Sequence, residues 1–239
     1  MAKILPKKPV KHSHEKSRIG SEMRDVILGG QDGLVNVLGV ILAVAAATAV
    51  TKTVIIAGLA ATFVESISMA AVAYTSTKAS SDFYRKEVEA EKREIKEIPV
   101  LEKQEIRDIY FKKGFRGRQL ENIVKKLTSS KKIWLETMMS EELGLSKDRN
   151  HPRKSAIVVG MAALIGSLFP LLPFFFLSPL VAVLPSVIVS VLVLFGLGAV
   201  KAKLATGNWL RSGLEIAILG LGAAFVGYGI GASLGSLLV

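Results

Sequence analysis

The sequence predicts an all-α membrane protein, with five transmembrane helices and a charged helical domain inserted between spans two and three. Three observations predict it. Half of the 239 residues are hydrophobic and the mean hydropathy is +0.43, too apolar for an ordinary soluble domain of this size. The apolar residues cluster in five runs, near 26–50, 53–74, 155–177, 179–200 and 213–239. Each is close to the ~20 residues that carry a helix across ~30 Å of hydrocarbon. Between the second and third runs the chain is instead dense in Lys, Arg and Glu.

Residues 1–22 read as a disordered basic tail. Its His12-Ser13-His14 has the chemistry to touch a metal, but no third ligand is near, and a solvated tail is the simpler reading. The first apolar run contains Gln31, Asp32 and Asn36 and is too long and too polar for a cleavable leader. The second run does not stop at the membrane. From Thr75 to Ile98 nothing breaks a helix, so one long helix is expected to leave the bilayer and end near Pro99.

Shorter helices follow, roughly over 101–113, 117–128 and 131–143. Gly114 and Gly117 punctuate the first gap, Thr128 to Lys132 the second, and Gly144 caps the last. The third span ends where Pro170, Pro173 and Pro179 force a turn. The fifth carries Gly227, Gly231 and Gly235, a smooth stripe for close helix packing. The expected division is a tail (1–22), spans one and two (23–80), an inserted domain continuing from span two (81–150), and spans three to five (151–239).

The net charge is +11, and its placement sets an orientation. Basic residues crowd the tail, the segment 85–153 and the link with Lys201, Lys203 and Arg211. The excess of Lys and Arg on cytoplasmic loops puts the N-terminus, residues 75–153 and the 201–211 link in the cytoplasm. Five spans leave the C-terminus on the other side. Juxtamembrane lysines account for the charge without a nucleic-acid partner. The chain has no cysteine, which excludes disulfides, thiolate metal sites and cysteine nucleophiles.

Acids inside a membrane helix are costly, ~2.5–3.5 kcal/mol each on insertion scales. Asp32 and Glu65 both incur that cost. At ~1.5 Å per residue they lie ~9 Å and ~13 Å from the cytoplasmic ends of their spans, so antiparallel neighbours bring them to similar depth. Met69 is one turn from Glu65 on the same face, Asp25 two turns below Asp32, and Asn36 one turn above it. Carboxylates with a thioether suit a borderline divalent ion such as Fe²⁺ or Mn²⁺, and a buried carboxylate can trade a proton for a cation. Hydrogen bonding across helices is the plain alternative for either acid taken alone.

The charged segment repeats the pattern outside the bilayer. Glu87, Glu91 and Glu94 share a face of the long helix, where like charges repel by a few tenths of a kcal/mol per pair. Glu89 and Arg93 form an ordinary ion pair on another face. Glu102 and Glu105 share a face of the next helix. Met138, Glu141 and Glu142 share one on the last, with Met139 beside them. A solvated acidic surface explains any one pair. The set, with two methionines that do not suit a solvated face, points to a shared cation site. A greasy contact with a partner helix is the rival reading for the methionines.

These residues resemble the vacuolar iron transporter (VIT) family over about 22–235. The resemblance rests on RDVILGGQDGLVNVLG, GLAATFVESISMAAVAY, EKREI, LEKQEI and WLETMMSEELGL. It implies a homodimer with the ion path between subunits and no enzymatic activity or prosthetic group. It implies proton-coupled export of Fe²⁺, and often Mn²⁺, Co²⁺ or Zn²⁺, from the cytoplasm to a vacuole or the outside. On this resemblance the transmembrane ligands fall on Asp25, Asp32, Glu65 and Met69. The cytoplasmic metal ligands fall on Glu91, Glu94, Glu102, Glu105, Met138, Met139 and Glu142. Some plant members carry a second methionine one turn beyond Met69, where this chain has Ala73. A membrane-anchored metal sensor or adaptor, and a structural membrane protein, are the competing classes.

Overall fold

The computed structural model describes residues 11–146, 151–204 and 207–237, and α1 runs from Lys11 to Thr48. Residues 11–22, expected as disordered tail, are therefore the first turns of α1. Glu15, Lys16, Arg18 and Glu22 all favour a helix. Residues 1–10 and the side chains of His12 and His14 lie outside the described residues.

At its far end α1 stops in a tight turn. Thr48 Oγ1 donates to the Val44 carbonyl at 2.9 Å and accepts from the Val50 N–H at 3.4 Å. The long helix expected from span two is α2, Thr51–Glu97, 47 residues or about 70 Å of helix. It ends where Pro99 opens α3, Pro99–Lys112, with Ile98 as the single residue between them. Then come α4, Gly117–Leu127, and α5, Lys131–Thr137.

The last of these departs from the expected 131–143. After Thr137 the chain widens into a π-turn, Met138–Glu142. Its ends are tied by the Leu143 N–H donating to the Met138 carbonyl at 3.2 Å and the Leu145 N–H to the Met139 carbonyl at 2.7 Å. Gly144 permits that closure, because its φ of +61° is strained for any residue with a Cβ.

Three more apolar helices complete the chain: α6, Pro152–Leu171, α7, Pro179–Leu204, and α8, Trp209–Leu237. A 3₁₀ turn, Leu172–Phe175, follows α6 and holds Pro173, whereas Pro170, expected to help force the turn, stays inside α6, and Pro179 opens α7. Among the described residues, five helices are long and apolar enough to cross a membrane: Gly20–Thr48, Thr51–Glu97, Pro152–Phe175, Pro179–Lys203 and Trp209–Gly235. No strand occurs among the described residues.

The chain divides into two compact units, Met1–Thr75 with Asn150–Val239, and Ser76–Arg149. In the first, α1 is central and packs on α6, α7 and α8. Val37, Leu38, Ile41, Leu42 and Ala45 of α1 form the core with Val54, Leu171 and Phe174. The glycine stripe of α8 faces α1 of the same chain. A Cβ on Gly227 would stand 2.5 Å from the Gly39 carbonyl oxygen, and one on Gly231 would stand 2.0 Å from that of Ala43. In the second unit Ile95, Ile106, Leu120, Val124, Trp134 and Met138 pack together. Its surface carries a Glu89–Lys92 ion pair at 2.7 Å, with the three-residue partner in place of the expected Arg93. Either spacing suits an exposed helix face.

Candidate metal centre

The acid cluster of the second unit follows from the break at Ile98. Glu91 and Glu94 lie three residues apart on α2, hence on one face. Pro99 ends that helix, and α3 brings Glu102 back to the same place. One carboxylate oxygen from each of Glu91, Glu94 and Glu102 lies within 4.8 Å of the other two. Glu91 is 3% exposed and Glu102 is 2% exposed. Such burial of acids is rare unless they are paired or bound to a cation. Here the partners are other acids.

The electrostatics follow from that geometry. Loss of solvent pushes the Glu91 carboxyl up to about 8, helped by a hydrogen bond with Glu102 and by the charges of Glu102, Glu142 and Glu94. Glu102 is raised by burial and then by Glu105 and Glu94, while its bond to Glu91 opposes the rise. Glu142 is raised by desolvation and then by Glu105, Glu102 and Glu94. Glu105 and Glu142 thus stand close enough to act on the triad. Two oxygens, Glu91 Oε1 and Glu102 Oε2, are buried with no hydrogen-bond partner. Orphaned carboxylate oxygens in an all-acid setting are the donor set a divalent cation satisfies.

Met138 and Met139 are 0% and 2% exposed, and Met138 belongs to the apolar core. The expected shared face of Met138, Glu141 and Glu142 is split by the π-turn. Glu141 pairs with Lys113 at the end of α3, while Glu142 keeps to the acids. Glu87, half-buried, is not part of the triad.

In the first unit, Asp32 and Asn36 of α1 stand near enough to Glu65 of α2 to act on it. Asp32 and Glu65 are half-buried and Asn36 is exposed. Met69 is half-buried one turn from Glu65. Asp25 is engaged elsewhere. It is buried and accepts a hydrogen bond from Ser155 Oγ at 2.6 Å. Sequence reasoning missed Ser155, since nothing local to it marks a partner 130 residues away.

These features define a class, a helical integral membrane protein with acids gathered in its spans and again in a separate helical unit. Residues 23–232 match the sequence model of the VIT family. Vacuolar iron transporter 1 of Oryza sativa subsp. japonica is 32% identical over 234 residues, covering 95% of this chain and 93% of that protein. Vacuolar iron transporter 1 of Arabidopsis thaliana is 31% identical over 211 residues, 87% of this chain and 84% of that one. The vacuolar iron transporter of Plasmodium berghei (strain Anka) is 30% identical over 221 residues, 88% and 81%. The chain belongs to the VIT family. The relatives carry the names of transporters, not of enzymes.

Proposed function

We propose that this protein moves divalent transition metal, chiefly Fe²⁺ and also Mn²⁺, Co²⁺ or Zn²⁺, out of the cytoplasm in exchange for protons. The destination is a vacuole in a eukaryote or the outside in a prokaryote. The meeting of Asp32 and Glu65 in the spans, beside Asn36, is the observation that carries this reading. Two acids on neighbouring membrane helices are costly unless they serve a cation or a proton. The relatives named vacuolar iron transporters supply the metal.

The second unit, Ser76–Arg149, lies in the cytoplasm by the distribution of Lys and Arg. There Glu91, Glu94, Glu102, Glu105 and Glu142 collect the ion. In the membrane Met69, Glu65, Asp32 and Asp25 line its path, and protons returning to the carboxylates release it. The exposed Asn36 and half-buried acids on one face of the spans suit a second copy of the chain, with the path between subunits. A membrane-anchored sensor is the second reading, favoured by the compactness of the acid-bearing unit.

Purified protein in liposomes distinguishes the two. The transport reading expects uptake of Fe²⁺ and Mn²⁺ that depends on a pH gradient, is abolished by Glu65→Ala and is only lowered by Glu102→Ala. Metal binding with no uptake supports the sensor. Full pH-coupled uptake by Glu65→Ala sinks the mechanism.

A further inference from the structure

α1 and α6 meet along a ladder with a four-residue period. Gly29 lies against the Val159 carbonyl and Gly33 against the Ala163 carbonyl. A Cβ at these glycines would stand 2.2 and 2.4 Å from those oxygens. The same step of four leads from Gly29 back to Asp25 and from Val159 back to Ser155. At that rung the contact is a hydrogen bond, Ser155 Oγ donating to Asp25 Oδ2 at 2.6 Å. Both residues are nearly out of solvent, 6% and 5% exposed. Beside them Lys154 pairs with Glu22, so the first turn of α6 holds α1 at two points.

Helix backbones that touch leave little room for a large side chain, and serine is the smallest one that donates a hydrogen bond. The hydroxyl therefore engages one oxygen of Asp25. The other, Oδ1, has the Arg24 guanidinium 4.0 Å away, on a side chain that is 76% exposed. At 4.0 Å, and from an arginine that is itself exposed, this contact holds the buried carboxylate less closely than the hydroxyl does at 2.6 Å. We propose that Ser155 is a positioning residue for Asp25, fixing one oxygen so that the other is presented to a passing divalent cation. The neutral donor orients the carboxylate while leaving its charge in place. The proposal rests on the reading of Asp25 as part of the metal path.

The test is the initial rate of Mn²⁺ uptake by the full chain in liposomes, over a range of Mn²⁺ concentrations, for wild type, Ser155→Ala and Ser155→Thr. Loss of a hydrogen bond to a charged group predicts a KM for Ser155→Ala about tenfold higher, with kcat nearly unchanged. Thr keeps the hydroxyl and brings KM back toward the wild-type value. A wild-type KM in Ser155→Ala, or a fall in kcat alone that Thr does not restore, overturns the positioning role while leaving transport intact. A wild-type protein that takes up no Mn²⁺ overturns this proposal together with the transport reading.

Discussion

Glu91 and Glu102, both acidic and both buried, bring carboxylate oxygens within 4.8 Å of each other. Two buried carboxylates that close repel when both are ionised. Protonation of one of them relieves that repulsion, and so would a bound divalent cation if the cluster serves as the proposed site.

The pH dependence has a definite sign. Glu91 titrates near 8 when folded against an ordinary value of 4.5, so the folded chain binds the proton more tightly than the unfolded one. That contribution to stability is fully present below about 4.5 and is lost as pH rises through about 8. The metal-free protein in detergent should melt at progressively lower temperature from pH 5 to pH 8.5. If the cluster is the proposed cation site, added Mn²⁺ should reverse the trend, because the same carboxylates, once ionised, would bind it. A melting curve flat in pH without metal would show that the two acids are not coupled.

Met138 is fully buried in an apolar core. Met138→Leu preserves its volume and should cost under about 1.5 kcal/mol. Met138→Ala leaves a cavity and should cost about 2–5 kcal/mol. Unfolding of the full chain, followed by Trp fluorescence, measures both. Mn²⁺ binding to Met138→Leu within about twofold of wild type would assign this methionine to packing. A tenfold loss, worth about 1.4 kcal/mol, would assign its sulfur to the metal.

The α8 glycines should divide sharply. A Cβ on Gly231 would sit 2.0 Å from the Ala43 carbonyl oxygen, whereas one on Gly229 would meet nothing within 4 Å. Gly231→Ala must part α1 from α8, an overpacking cost of about 1–3 kcal/mol or more. Gly229→Ala should be neutral or slightly stabilising. Thermal midpoints of the two variants in one detergent settle the comparison, and equal midpoints would refute the helix contact.

The Lys113–Glu141 pair ties the π-turn to the end of α3, but its side chains are 41% and 34% exposed. Lys113→Ala should therefore change stability by no more than about 1 kcal/mol. Half-molar salt should shrink even that effect. A larger loss, insensitive to salt, would show that the lysine stem packs against Tyr110, over whose ring its ammonium lies at 4.9 Å.

The features read correctly from sequence are those that a short window determines. The five apolar helices, the uninterrupted α2 and its stop before Pro99 depend on composition and on one proline. The closeness of Glu91, Glu94 and Glu102 was also readable, because a single break at Ile98 joins the two helix faces. The π-turn was not, since the 131–143 pattern fits a plain helix, and the turn pairs Glu141 with a lysine 28 residues earlier. The Ser155–Asp25 bond depends on how α6 lies on α1, which no local pattern encodes. The glycine stripe was visible as a stripe, but its partner, α1 of the same chain, emerges only from the packing.

Asp32 and Glu65 stand on helices covered to different degrees by the rest of the chain. Of the most apolar stretch of α1, 44% is buried within the chain, against 22% for α2. One acid thus stands on a helix packed among its neighbours and the other on a helix this chain leaves largely uncovered. An ion bridging them would brace α2 through its charge, much as a pin closes a hinge. Amide hydrogen exchange around Glu65 should then slow when metal is added, while the already shielded amides around Asp32 should barely respond.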